Sequence, residues 1–523
     1  MLRLFVIGLV FWCSGLAGLV YEVVWFRLLA TTFGSTGPAI AATTGSFMAG
    51  LGLGSRVVAK YADRVRFPIR WYAILEIGLA SYAAFMPFWI WQVESLYREA
   101  ANQQWPSAIL VAGQFATIFV VLVIPTSLMG ATLPLMCRAL VQKDAHIGRR
   151  FALLYGINTL GAAAGAALAG FFLIQRFGLS GTSNFAVGIN VFVALSAFLI
   201  SRSMTTEDAT TEQRADDSPQ AIHQPAPTEA TSTRMIFVSV FACGFAGLAA
   251  QSLWVRSLLF GFDRLKNTTY SFSAVLTITL IGLALGTAIG YVIVDRLKKP
   301  RRALAVVVAG IGLSVLASVI VLLSSEKIRD TVNPQTLQVD FAAAVNSVAI
   351  RTAAVIAFPC VLLGLATPLA VRCVGHQQSI GREVGRLYAI NTWGAVIGAF
   401  AAAFVLPPML GLLPSLLWIG AALLIVAAAM QRHSIASVGG FGSLAAVAVG
   451  AALLTPAEFW WLQSLRGGEE IIALHDGVTG TVCVIEDAEG ERRICVDDVP
   501  VAGTSNIMQT DQKCLAHWSM LVA

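Results

Sequence analysis

Leu154-Tyr-Gly-Ile-Asn158-Thr-Leu-Gly161 returns 233 residues later as Leu387-Tyr-Ala-Ile-Asn391-Thr-Trp-Gly394. Four further blocks recur in the same order. Cys13-Ser-Gly-Leu-Ala-Gly18, running on to Trp25 and Arg27, is answered by Cys243-Gly-Phe-Ala-Gly247, running on to Trp254 and Arg256. Gly50-Leu-Gly-Leu-Gly54 is answered by Gly282-Leu-Ala-Leu-Gly286, and Asp63-Arg64 by Asp295-Arg296. Gly130-Ala-Thr-Leu-Pro134 is answered by Gly364-Leu-Ala-Thr-Pro368. Five blocks in one order, at offsets of 229 to 234, are an internal duplication. Each block lies in or beside an apolar stretch of about 20 residues, the length a helix needs to cross a bilayer.

The composition agrees. Of 523 residues 57% are hydrophobic and only 12% charged, with 46 glycines and a mean hydropathy of +0.75. A soluble domain carries about 25% charged residues. The numbers exclude a water-soluble enzyme, a disordered tail and a secreted disulfide scaffold, and leave an all-α polytopic membrane protein whose first partner is the lipid bilayer. The net charge of +6 is small and dispersed, so nucleic acid is not an expected partner. Eight cysteines are too few for a disulfide framework in this length, and Cys13, Cys137, Cys243, Cys360 and Cys373 lie in or beside apolar segments, where Cys packs as a small hydrophobe.

The apolar stretches predict spans near 4–25, 36–56, 70–91, 107–130, 152–174 and 183–201, then 235–257, 268–292, 302–324, 346–370, 387–406 and 413–430. The domain map is therefore a first six-helix repeat over 1–202, a polar linker over 203–234, a second six-helix repeat over 235–432, a thirteenth helix as an option within 433–456 (apolar core 436–454), and a small tail over 457–523. The loops at 56–70, 138–150, 296–302 and 372–386 hold 17 Lys and Arg, and the intervening loops hold seven. Basic loops stay on the cytoplasmic side, which places the amino terminus and the linker there, in a plasma (inner) membrane. Six is an even number, so both repeats enter from one side and are parallel, with a cleft between them near mid-membrane.

Within the spans, Gly50/Gly54, Gly161/Gly165, Gly282/Gly286 and Gly394/Gly398 are spaced i, i+4, the pattern of close helix packing; no strand precedes Gly50 to make it a nucleotide loop. Intramembrane ionisable groups cost about 2.5–3.5 kcal/mol and face a cavity or a partner. Glu22 and Glu76 are two such groups, and the second repeat carries Gln251 and Val308 in their places. Either they bind a cationic solute or a proton in the cleft, or Glu22 pairs with Arg27 and a neighbouring helix caps Glu76. Asn158 and Asn391 recur at equivalent sites and fit an interhelical hydrogen bond or the cleft. Trp25 and Trp254 are expected as interfacial anchors. Cleft candidates are thus Glu22, Glu76, Asn158, Gln251 and Asn391; no metal or cofactor set is present. Asp63-Arg64 and Asp295-Arg296 resemble the loop between helices 2 and 3 of the major facilitator superfamily, which in those transporters is a conformational latch.

In the tail, Thr481–Ile485 and Arg492–Asp497 are strand-like runs joined by a three-residue loop, Ala488-Glu489-Gly490, with Gly490 left-handed. That register sets Cys483 opposite Cys495, a pair that is either a disulfide in an oxidising compartment or two reduced side chains on one face. Gly503-Thr-Ser-Asn506 reads as a turn.

His475-Asp-Gly-Val-Thr-Gly-Thr-Val-Cys-Val484, Val496-Asp-Asp-Val499 and Leu515-Ala-His517 resemble the β-hairpin region of spermidine synthase-like proteins. Gly18-Leu-Val-Tyr-Glu22-Val-Val-Trp25, Phe47–Ser55, Leu75-Glu76, Met129–Pro134 and Leu154–Ala162 are similar to the bacterial branch in which that domain follows a major facilitator-like membrane module. The resemblance implies polyamine chemistry, aminopropyl transfer, and decarboxylated S-adenosylmethionine as cofactor in a domain beyond the hairpin. The sequence ends at Ala523, where the first strand of that domain is expected, so the chain reads as a fragment of such a protein, with no catalytic residue and no cofactor of its own; Gln509-Thr-Asp511-Gln512 matches the family's acidic signature poorly. The alternatives are a major facilitator-like transporter of a small, cationic solute such as a polyamine, and a non-catalytic membrane scaffold.

Overall fold

The computed structural model describes residues 2–33, 37–103, 107–140, 147–204, 227–259, 269–324, 341–374, 380–431, 435–455, 465, 468–477, 481–496, 499–506, 508–510 and 512–513. Most of the expected linker, with Asp511 and Leu515–Trp518, lies outside them.

The first copy consists of α1 (Leu2–Phe33), α2 (Gly37–Ala59), α3 (Pro68–Ala84), α4 (Met86–Asn102), α5 (Ser107–Leu140), α6 (Ile147–Leu168) and α7 (Ile174–Met204). The second consists of α8 (Pro227–Leu259), α9 (Thr269–Ile293), α10 (Pro300–Ser324), α11 (Phe341–Val374), α12 (Ile380–Phe404), the single turn α13 (Leu406–Leu410) and α14 (Leu412–Met430). Proline opens α3 and α10 alike, where its missing N–H has no intrahelical acceptor to lose. Pro125 and Pro134 inside α5 are matched by Pro359 and Pro368 inside α11.

Two spans depart from expectation. The stretch 70–91 is not one helix: α3 and α4 meet at a bend of 48°. Phe85 leaves the helical region there, and Pro87 follows in the next turn, where it has no N–H to carry the α3 ladder onward. The loop expected at 174–182 is helical. α6 runs through a π-helical segment, Ala169–Leu173, into α7, and the run breaks at Gly178, whose φ of 66° favours glycine.

The copies pack alike. In the first, α1 lies on α6 and α7, α2 on α5, and α3 on α5 and α7; in the second, α8 lies on α12 and α14, α9 on α11, and α10 on α11 and α14. Across the seam, α2 packs on α12 and α9 on α6. This exchange of equivalent helices is what a two-fold relation between parallel copies produces. The glycines set these distances as expected. A Cβ on Gly161 would fall 2.1 Å from the Trp12 carbonyl oxygen, and one on Gly394 would fall 2.2 Å from the Phe241 carbonyl oxygen.

Trp25 and Trp254 are not interfacial anchors: both are 1% exposed. Trp25 stacks on Tyr21, and Trp254 donates its indole N–H to Ser318 Oγ at 2.9 Å, so the ring's polar edge is satisfied inside the bundle.

A further apolar helix, long enough to cross a bilayer, follows α14. α15 (Ile435–Leu454) packs on α14, leaving Val447, Leu453 and Leu454 exposed toward lipid. Ten apolar helical runs among the described residues are long enough to cross a bilayer, and the bent pair α3–α4 makes an eleventh. The run Gly148–Arg202 is 55 residues long and includes the break at Gly178, and α2 stands where α9 stands in the second copy. The protein is an all-α polytopic membrane protein with a small C-terminal antiparallel sheet.

That sheet has four strands in sequence order: β1 (Glu470–Asp476), β2 (Thr481–Glu486), β3 (Arg492–Val496) and β4 (Val499–Gly503). The central hairpin has the expected register, with Cys483 opposite Cys495 and Gly490 at φ 79°. Asp487 closes its loop by accepting the N–H groups of Glu489 and Glu491. Strands β1 and β4 flank the hairpin beyond what the sequence pattern indicated. The buried face, Cys483, Ile485 and Cys495, joins the core of the second copy.

Candidate functional site

A cavity of about 400 Å³ lies along the seam, lined from the first copy by α1, α2 and α6 and from the second chiefly by α8, α9, α11 and α12. Helical periodicity selects its lining. From α8 come Val240, Gly244, Gly247, Leu248, Gln251, Val255 and Arg256, and from α12 come Val384, Leu387, Tyr388, Asn391, Ala395 and Ala399, each set one stripe at spacings of three and four. The volume is that of a small-molecule site, mostly apolar with a few convergent polar groups.

Four of the five cleft candidates meet here: Glu22, Asn158, Gln251 and Asn391. Glu22 on α1 is 9% exposed. It makes no ion pair with Arg27, which is exposed, and it has no hydrogen-bond partner among the described residues. Gln251 and Asn391 likewise face the cavity without a protein partner for their amides. Asn158 differs from its equivalent: its Nδ2 donates to the Phe11 carbonyl at 3.0 Å, so it both stitches α6 to α1 and edges the cavity.

Glu76 does not line this cavity. It is fully buried within the first copy, where Ser14 Oγ donates to its Oε1 at 2.6 Å and Asn190 Nδ2 donates to its Oε2. Its carboxylate ties α3 to α1 and α7, and the apolar Val308 takes the equivalent place in the second copy, also fully buried. Hydropathy marks a buried carboxylate in a span but carries no signal for which neighbour meets it.

Sequence reasoning passed over two kinds of lining residue. Tyr155 and Tyr388 are equivalent, stand three residues before Asn158 and Asn391, and so share their helix face; Tyr388 is in electrostatic range of Glu22. The repeat blocks contained them. Arg256, in the last turns of α8, also lines the cavity and reaches the tail, donating to the Gly477 carbonyl and to Thr481 Oγ1, each at 3.4 Å.

The copies also meet beyond the cavity. At the end bearing the basic loops, the turns Ala62–Arg64 and Val294–Arg296 lie against α12 and α6 respectively. Asp295 accepts the backbone N–H of Arg149 in the first turn of α6, at 3.3 Å, and lies 3.6 Å from Arg372 Nε at the end of α11. That carboxylate faces both a helix amino terminus and a guanidinium. Arg149 stacks over Tyr291 and donates to its hydroxyl at 2.8 Å. Arg64 and Arg296 are exposed; the Asp63 side chain lies outside the described set. At the other end Phe26 of α1 stacks on Phe272 of α9, with ring centroids 4.1 Å apart. The tail sheet sits at this second end, through Arg256 and through contact of β1 with α13. These contacts place the described part of the tail at the end opposite the basic loops. No cluster of three metal-ligating side chains occurs among the described residues.

No protein-family model and no curated protein matches the sequence, so the aminopropyltransferase resemblance stands on the blocks quoted above. Among solved structures, the E. coli fucose:proton symporter is 13% identical, with a TM-score of 0.47, over 83% of this chain and 98% of that one. A bacterial homologue of the iron transporter ferroportin, in an outward-facing state, is 10% identical with a TM-score of 0.47, over 88% and 99%. An auto-inhibited peptide transporter of the POT family is 15% identical with a TM-score of 0.41, over 89% and 96%. The three scores are below 0.5, and the architecture above rests on the chain's own contacts.

Proposed function

We propose that this chain is a transporter of the major facilitator kind that carries a small polar solute with a cationic group through the seam between its copies. One observation carries the reading. Glu22, Gln251 and Asn391 converge on a cavity shared by both copies, with no hydrogen-bond partner for their polar ends among the described residues. Glu22 is buried, and an ionised group buried without a partner is costly. A bound solute supplies what the protein does not. The ammonium of such a solute would meet Glu22, with Tyr388, Asn391 and Gln251 around it.

Movement follows from the two-fold arrangement. Parallel copies that rock about a central site open it to each side in turn. The contacts that yield are those at the ends: Asp295 with Arg149 of α6 on the basic side, and Phe26 with Phe272 on the other. The paired turns Asp63-Arg64 and Asp295-Arg296 would act as the conformational loop. Positive loops on the inside orient the amino terminus to the cytoplasm. The aminopropyltransferase resemblance adds polyamines to the solutes for testing and assigns no reaction to this chain.

The test is uptake of labelled amines, spermidine among them, into proteoliposomes. Glu22→Gln removes one charge-assisted contact of about 1.5–3 kcal/mol, so the apparent affinity should fall roughly 10- to 150-fold while the melting point of the solute-free protein does not fall. Equal uptake by wild type and variant would discard the reading.

A further inference from the structure

Two charged side chains line the cavity, and their signs are opposite: Glu22 and Arg256. They also differ in depth. Glu22 has Gln251 as its equivalent in the second copy, and Gln251 precedes Arg256 by five residues on α8, about 7.5 Å of helix rise. The guanidinium therefore sits about a turn and a half closer to the tail than the carboxylate. The guanidinium has no carboxylate partner among the described residues. Its contacts are two neutral oxygens at 3.4 Å, the Gly477 carbonyl and Thr481 Oγ1, which come from the turn between β1 and β2. Those two contacts leave most of a five-donor fork open, and the fork matches a carboxylate bidentately.

We propose that the solute is a short zwitterion of the amino-acid class, lying along the cavity with its ammonium at Glu22 and its carboxylate at Arg256. The C-terminal sheet then forms the rim that holds Arg256 in place. This rests on the cavity being the solute site. With ion pairs of up to about 4 Å at each end, a difference in depth of about 7.5 Å is bridged by a short solute and not by a long one. A polyamine would set a second cation against Arg256 and be disfavoured by it.

The experiment is binding to the detergent-solubilised full chain, read by calorimetry. The probes are a panel of α- and ω-amino acids, their decarboxylated amines, their N-acetylated acids, and spermidine. The native chain should prefer zwitterions. Arg256→Gln should lower zwitterion affinity about tenfold or more while leaving the amines unchanged; Arg256→Lys should restore part of it. Thr481→Ala, which removes one tail contact and no charge, should keep the preference. Amines or spermidine binding the native chain as tightly as zwitterions, or no probe binding, would overturn the proposal. So would an equal loss for amines and zwitterions in Arg256→Gln, which makes Arg256 a holder of the tail. If Glu22→Gln weakens binding while Arg256→Gln does not discriminate, the zwitterion alone fails. If both variants bind every probe as the native chain does, the cavity is not the solute site.

Discussion

Gly54→Ala and Gly286→Ala should destabilise the protein by similar amounts, because the duplication places them at the same contact in the two copies. A Cβ at Gly54 would fall 1.8 Å from the Ser127 carbonyl oxygen of α5, and a Cβ at Gly286 would fall 1.8 Å from the Val361 carbonyl oxygen of α11. Real Cβ atoms do not approach closer than 3.0 Å, and neither obstacle is a flexible side chain that can swing away. Each helix pair must therefore separate by about 1 Å, and each pair carries an extensive interface of its copy. Overpacking of this kind costs about 1–3 kcal/mol. Gly188→Ala is the control, since a Cβ there meets nothing within 4 Å. The assay is thermal unfolding in detergent followed by tryptophan fluorescence. Both interface variants should melt several degrees below wild type and within about 1 kcal/mol of each other, with Gly188→Ala unshifted. Wild-type melting in either interface variant, or a drop in one copy alone, would refute the claim that the copies share one packing.

Two further outcomes follow from placements in the structure. Glu76→Gln should lower the melting point, because an amide cannot accept both the Ser14 hydroxyl and the Asn190 amide as the carboxylate does; the loss is about 1–3 kcal/mol, and uptake by the remaining folded protein should be normal. Unchanged melting would show that Glu76 holds nothing together. A cysteine at Glu489, exposed on the β2–β3 loop, should react with an impermeant maleimide in intact cells, whereas one at Arg64, exposed in the basic turn, should react only after lysis. The reverse pattern, or one pattern for both positions, would refute a tail opposite the basic loops.

The duplication was legible in the sequence because the same physical demand recurs in each copy. Glycines must admit a neighbouring carbonyl, and a tyrosine and an asparagine three residues apart must share a face. The hairpin was legible for a similar reason, since a left-handed glycine in a three-residue loop determines which residues stand opposite. What escaped was decided by neighbours distant in sequence. Glu22 and Glu76 look alike as carboxylates in apolar spans, yet Asn190, 114 residues away, claims Glu76, and no hydrogen-bond donor among the described residues claims Glu22. Trp25 and Trp254 sit where belt anchors belong along the chain, but Tyr21 and Ser318 take them inward. Arg256 entered the sequence reading only as the close of a repeat block; its contacts depend on where the tail folds back. Composition likewise did not separate a bend at Phe85 from a straight span, because its cause is a single proline two residues on.

Transport by rocking copies is tested most directly by tying them together at one end. In a background without native cysteines, Phe26→Cys and Phe272→Cys place thiols where stacked rings of α1 and α9 now join the copies at the tail side. A short bifunctional thiol reagent should then stop uptake into proteoliposomes while solute binding persists, and reduction of a cleavable linker should restore transport. Full transport with the linker verifiably in place would contradict the account.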